Sequence, residues 1–152
     1  MNNTRELLSP SLAANHSPVS IYSLRTGFLA AFFGGPVAGA AVALVNAYRL
    51  KRLSTDWPIG LLALAINVAL IWWSTRAGGR RWLEAVLGPG SLYYLTHFIG
   101  LAFFGAVYAL HRTYYRGMSV LGIKPPNGWP IGLGALAVGI AVGAGLVTLL
   151  AP

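Results

Sequence analysis

The chain has 152 residues, of which 56% are hydrophobic and only 9% charged. A soluble domain carries about 25% charged residues, so this composition excludes a globule that meets water on all sides and calls for lipid as the solvent of much of its surface. Eleven Lys/Arg face three acids for a net charge of +8, yet the cations sit at the ends of apolar runs, in RLKR (49–52), RAGGRR (76–81) and HRTYYR (111–116), as expected of flanks facing anionic headgroups and not of a nucleic-acid surface.

Residues 1–25 form a polar tail rich in Ser, Asn and Pro, with no apolar core of the kind a secretory signal needs. Four runs free of Lys, Arg, Asp and Glu follow, at 26–48, 57–75, 85–110 and 125–152. A helix rises about 1.5 Å per residue and about 20 residues span a bilayer, so each run is long enough to cross. Backbone groups in lipid must bond internally, and the period-2 alternation of a barrel is absent, so helices are expected at about 26–49, 57–75, 91–111 and 129–150. Gly88-Pro89-Gly90 breaks the third run. That leaves RRWLEAVL (80–87) as an interfacial helix or a simple loop.

WPIG occurs twice, at 57–60 and 129–132, and AFFG twice, at 31–34 and 102–105. The offsets are 72 and 71. Trp suits the membrane interface and Pro the first helical turn, so WPIG has a physical reason to start a helix. The paired offsets suggest a duplicated two-helix unit, with copies at 26–75 and 91–150. An even number of spans then puts the N-terminus, loop 76–90 and the C-terminus on one side, with loops 50–56 and 112–128 on the other. Trp57 and Trp129 should share one depth and one face. Six Lys/Arg in loops 49–56 and 111–128 oppose five in the tail and middle loop, a narrow lean towards both termini outside.

No catalytic constellation assembles from these residues. The absence of Cys excludes disulfides and thiolate metal sites. His16, His97 and His111 are widely spaced, and no carboxylate falls within an expected span. His97 is the one ionisable group expected at membrane depth; it reads as a hydrogen-bonding interfacial residue or as a functional one. Asn46 and Asn67 can cross-link helices by amide hydrogen bonds, or line a site near the midplane. Gly34-Gly35-Pro36 interrupts the first run. Pro36 should bend that helix and free the carbonyl of Phe32, giving either a tolerated kink or a broken helix beside a cavity. Gly35/Gly39 and Gly139/Gly143, with Ala135 one turn earlier, form small-residue stripes that let backbones approach.

Residues 22–49 carry Tyr22, Ser23, Phe32 or Phe33, Gly34, Pro36, Ala38, Gly39 and Asn46 in a pattern that resembles the start of small, uncharacterised multi-pass bacterial membrane proteins. A fainter echo lies at Asn127-Gly128-Trp129. The resemblance implies a bacterial cytoplasmic (inner) membrane and brings no activity or catalytic residue.

The sequence therefore describes an all-α integral membrane protein: a polar tail, 1–25, then a single four-helix membrane domain, 26–152, built as two related hairpins. The expected role is non-enzymatic, without metal or cofactor, as a structural, accessory or partner-binding component. The alternative is a small oligomeric transporter or channel, although the intramembrane carboxylate of proton-coupled small multidrug transporters is missing. The expected partners are the bilayer, a second copy or another membrane protein, and no nucleic acid.

Overall fold

The computed structural model describes residues 20–75 and 78–150. The described residues are all helical and connecting segments: α1 (Leu24–Arg49), α2 (Leu53–Thr75), α3 (Gly79–Leu87), α4 (Ser91–Val120) and α5 (Trp129–Leu150). Four of these, all but α3, are long and apolar enough to cross a membrane. Most of the polar tail, with His16, lies outside the described residues.

The first helix is not one straight rod. Gly35 inside it adopts φ 69° and ψ −165°, outside any helical region. A straight helix would set Tyr22 and Asn46 about 36 Å apart. Instead the backbone N–H of Tyr22 donates to Asn46 Oδ1 at 2.8 Å. The chain has turned back on itself. Residues 24–34 form one arm, residues 36–49 a second, and Gly35 is the tip. A Cβ built on Gly39 would lie 2.9 Å from the Cβ of Ala31, so the arms touch through their smallest residues.

The tripeptide 34–36 explains the turn. A conformation near φ +69°, ψ −165° is open essentially to glycine alone. Pro36 then occupies the first position of the second arm, where a missing N–H costs nothing and its fixed φ suits a helix start. The expected kink is thus a full reversal, and Pro36 begins a helix instead of bending one.

The hairpin is the hub of the fold. α2, α4 and α5 each pack on it, while α4 and α5 do not touch. Ala30 of the first arm with Ala38 and Val42 of the second buries against Ala135 of α5; Ala40 and Ala43 bury against Ala63 of α2 and Phe103 and Val107 of α4. Small side chains on every side of the arms leave room for three neighbours.

Direction follows from these contacts. A Cβ on Gly27 would meet the Phe104 ring and one on Gly100 the Ala31 carbonyl oxygen, so the first arm runs antiparallel to α4. Gly39 lies by Phe103, and Asn46 bonds Tyr115, so the second arm runs parallel to it. Both ends of α1 therefore lie at one end of the molecule. The starts of α2 and α5 lie there too, since Asp56 bonds His111 and Gly128 abuts Thr26. This basic end holds Arg25, Arg49, Lys51, Arg52, Arg112, Arg116 and Lys124. The far end holds α3, Gly88–Gly90 and the end of α5.

Two expectations need correction. The two AFFG stretches run in opposite directions, because the first lies in the outgoing arm and the second in α4. The two hairpins are not alike either: α2 packs on α1, whereas α5 packs on α1 and not on α4. What the halves share is a helix descending to the basic end, a basic loop and a WPIG helix leaving it, with Trp57 and Trp129 both exposed at that end. Even there the motif differs. Pro130 is the second residue of α5 but Pro58 the sixth of α2, whose start at Leu53 adds a turn bonded by Thr55 N–H and Asp56 N–H to the Arg52 carbonyl. α4 likewise runs on to Val120, past the expected 111.

The segment 79–87 is a helix and not a simple loop. Its Trp82, Val86 and Leu87 are exposed, Leu83 is buried, and Trp82 meets Trp73 of α2 edge to face at 6.4 Å. Gly88 and Gly90, at φ 90° and 81°, end it and begin α4.

Candidate functional site

Of the buried polar side chains, Asn67 lies by the tip of the hairpin, whereas Asn46, Asp56 and His111 are buried at the basic end. A helix end leaves four carbonyls or four N–H groups without helical partners, and at Gly35 the carbonyl end of one arm meets the N–H end of the other. Two carbonyls near the tip are covered by glycines of neighbouring helices. A Cβ on Gly100 would sit 2.5 Å from the Ala31 oxygen, and one on Gly139 2.5 Å from the Gly34 oxygen. Only a glycine lets those backbones approach so closely. The sequence pointed instead to the Phe32 carbonyl.

Beyond the tip lies a cavity of about 250 Å³ between the hairpin, the far half of α2, the start of α4 and the far half of α5. Gly34, Gly35, Asn67, Thr96, His97 and Gly143 face it, with Ser74 towards the far end. Asn67 is buried. The hydroxyls of Ser74 and Thr96 donate to the carbonyls of Ile71 and Leu92, at 2.9 Å each, which leaves their oxygens as acceptors. His97 Nδ1 lies 2.7 Å from the Tyr93 carbonyl. A carbonyl can only accept, so Nδ1 carries the proton, and in the neutral ring Nε2 keeps its lone pair. That Nε2 is buried with no partner among the described residues. No charged side chain lines the cavity.

Of the residues singled out from sequence, the structure brings Gly34, Gly35, Asn67 and His97 together here, with Pro36 immediately behind the tip. Asn46 does not join them. It sits at the basic end as the clasp of the hairpin, accepting from Tyr22 N–H and donating through Nδ2 to the Tyr115 hydroxyl at 3.2 Å and the Tyr22 carbonyl at 3.4 Å. Arg49 stacks over the Tyr22 ring, 4.9 Å from its centre. Of the Gly35/Gly39 stripe only Gly39 packs arm on arm, while Gly35 faces Thr96 of α4, and of Gly139/Gly143 only Gly139 meets the hairpin.

A second polar cluster escaped the sequence reading. Asp56, assigned there to a loop, lies in the first turn of α2 and is buried. Its Oδ2 is 3.0 Å from His111 Nε2, and its Oδ1 3.7 Å from Arg52. Arg52 also donates to the Tyr114 hydroxyl. That bond and then Asp56 push the Arg52 pKa up, so the guanidinium remains a cation. The cluster joins the starts of α2 and the end of α4. The available signal was the i,i+4 spacing of Arg52 and Asp56, which already describes a helical turn ahead of Trp57.

A re-entrant helical hairpin clasped among three long apolar helices is compatible with an integral membrane protein. Comparison of the chain with protein-family models, with curated proteins and with solved structures finds no match.

Proposed function

We propose that this chain is a multi-pass protein of the bacterial cytoplasmic membrane that admits a small polar solute or ion to the tip of its hairpin, as a small transporter or channel. One observation carries the reading: the chain reverses at Gly35 in front of a mostly apolar cavity into which four polar side chains, Asn67, Ser74, Thr96 and His97, are set. The arms are about 16 and 21 Å long, so the tip reaches roughly the middle of a 30 Å hydrocarbon core. Non-helical backbone at that depth is tolerated only where protein buries it or where it lines a water-filled cavity. Broken helix ends aimed at such a cavity are how membrane proteins hold solutes and ions near the midplane. The uncharged lining, with Asn67 and the His97 lone pair, suits a neutral hydrogen-bonding solute or a single small cation.

The hairpin also supports an orientation. Seven Lys/Arg lie at the basic end against Arg80 and Arg81 at the far end, among the described residues. By the positive-inside bias the basic end faces the cytoplasm. The cavity beyond the tip then lies in the outer half of the membrane, with the end of α5 beside it.

The test uses the absence of Cys from the chain. A Cβ at Gly143 would meet nothing within 4 Å, so the site accepts a cysteine. In vesicles, a membrane-impermeant charged thiol reagent is expected to label Gly143→Cys quickly and a lipid-facing Leu64→Cys slowly. Potassium or glycerol flux should exceed that of protein-free vesicles and fall in Asn67→Leu. An unlabelled Gly143→Cys together with background flux would leave the structural, accessory or partner-binding role, with a second copy or another membrane protein as partner.

A further inference from the structure

We propose that the groove between the first arm and α5 seats one anionic phospholipid of the basic-end leaflet. The groove, about 370 Å³, lies on the opposite face of the arm from α4 and is open at its edge, where Arg25, Phe33, Trp129 and Leu133 are exposed. Its chemistry changes along its length. Ser23, Arg25 and Thr26 line the basic end; Leu29, Phe33 and Leu136 line the deep end near the tip. From Ser23 to Phe33 is ten residues, about 15 Å, which is half of a hydrocarbon core of about 30 Å. A polar mouth at headgroup level and an apolar floor one leaflet deep fit an amphiphile. They do not fit a helix of a partner, whose apolar face would continue past Arg25.

Charge selects the headgroup. Of the two acids among the described residues, Asp56 pairs with His111 and Arg52, and Glu84 pairs with Arg80. Arg25 has no carboxylate partner among the described residues and stands beside Ser23 and Thr26, whose hydroxyls pair with each other at 3.1 Å and so leave one O–H, with the guanidinium, to donate to a phosphate oxygen. Trp129, 68% exposed at the same end, supplies the amphipathic ring favoured at that depth. The site shares only Phe33 with the cavity beyond the tip and does not depend on it.

Native mass spectrometry of the full chain in mild detergent, with phosphatidylglycerol or phosphatidylcholine added, tests this. Phosphatidylglycerol adducts should exceed phosphatidylcholine adducts, and Arg25→Ala should lower the preference about fivefold, as for one basic residue at a lipid surface. Arg116→Ala, exposed at the same end but outside the groove, should leave it unchanged. Leu133→Trp should reduce adducts of both lipids by closing the groove from its edge, with helix content by circular dichroism confirming that each variant is folded. Equal adducts of the two lipids, a preference untouched by Arg25→Ala, or a lipid-free dimer in which the groove is covered by a second copy would each overturn the proposal.

Discussion

Gly35 stands where one side-chain carbon decides the fold. Its φ of 69° with ψ of −165° costs other residues about 1–3 kcal/mol. Gly35→Ala should therefore lower stability by about that amount, read by denaturant titration in detergent micelles. Pro36→Ala should lose under about 1 kcal/mol, because a first-turn proline acts chiefly through the entropy of the unfolded chain. A large loss at Pro36 and none at Gly35 would contradict the assignment of tip and helix start. Asn46 closes the other end of the hairpin. Asn46→Ala strands the Tyr22 backbone, and about 1–3 kcal/mol should follow from the unsatisfied buried groups. The sequence showed the pieces of this arrangement: a glycine that stops a helix, a proline that starts one, and an amide 24 residues from Tyr22. Read as an interruption of one apolar run, Gly-Gly-Pro means a kink. Read as a stop followed by a start, it means two arms. The run length of 26–48 favoured the first reading, since it matches one crossing as well as it matches two half-crossings.

Among the elements, α4 and α5 meet the hairpin through glycine, and two substitutions separate contact from propensity. Gly100→Ala would place a Cβ 2.5 Å from the Ala31 oxygen, and overfilling of this kind costs about 1–3 kcal/mol. Gly105→Ala, on the same helix with nothing within 4 Å, should instead hold or gain up to about 1 kcal/mol from helix propensity. Thermal denaturation of the two variants side by side checks the pairing of α4 with the first arm. Helix existence was legible from run length and Pro/Gly punctuation, and each of the four expected spans kept one or both boundaries. The early start of α2 and the late end of α4 were not legible, because both depend on tertiary partners: Asp56 bonds His111, while Tyr114 and Tyr115 reach Arg52 and Asn46. Asp56→Leu removes the acceptor shared by the Arg52 guanidinium and the His111 ring. It should cost about 1.5–3 kcal/mol, the range for a hydrogen bond to a charged group, and free the start of α2 to faster hydrogen exchange.

At the scale of the whole molecule, the hairpin changes which residues share a side. Four straight crossings put the tail with the middle loop and leave the cations nearly balanced, six against five. A hairpin moves the start of α1, with Arg25, to the same end as loops 50–52 and 121–128, and among the described residues seven Lys/Arg then face two. The charge pattern was in the sequence throughout, but it could not be read until the first run was known to turn back. For the same reason the repeated WPIG was interpretable as a shared helix entry from the basic end, while AFFG was not a second witness to duplication. The central claim, that α1 enters and leaves at one end, is tested most directly by single-cysteine accessibility in intact and permeabilised cells at Ser20, Lys51, Lys124 and Gly90. Ser20, Lys51 and Lys124 should be labelled only after permeabilisation, and Gly90 in intact cells. Ser20 and Lys51 labelled from opposite faces would mean that α1 crosses the membrane, and would contradict the account.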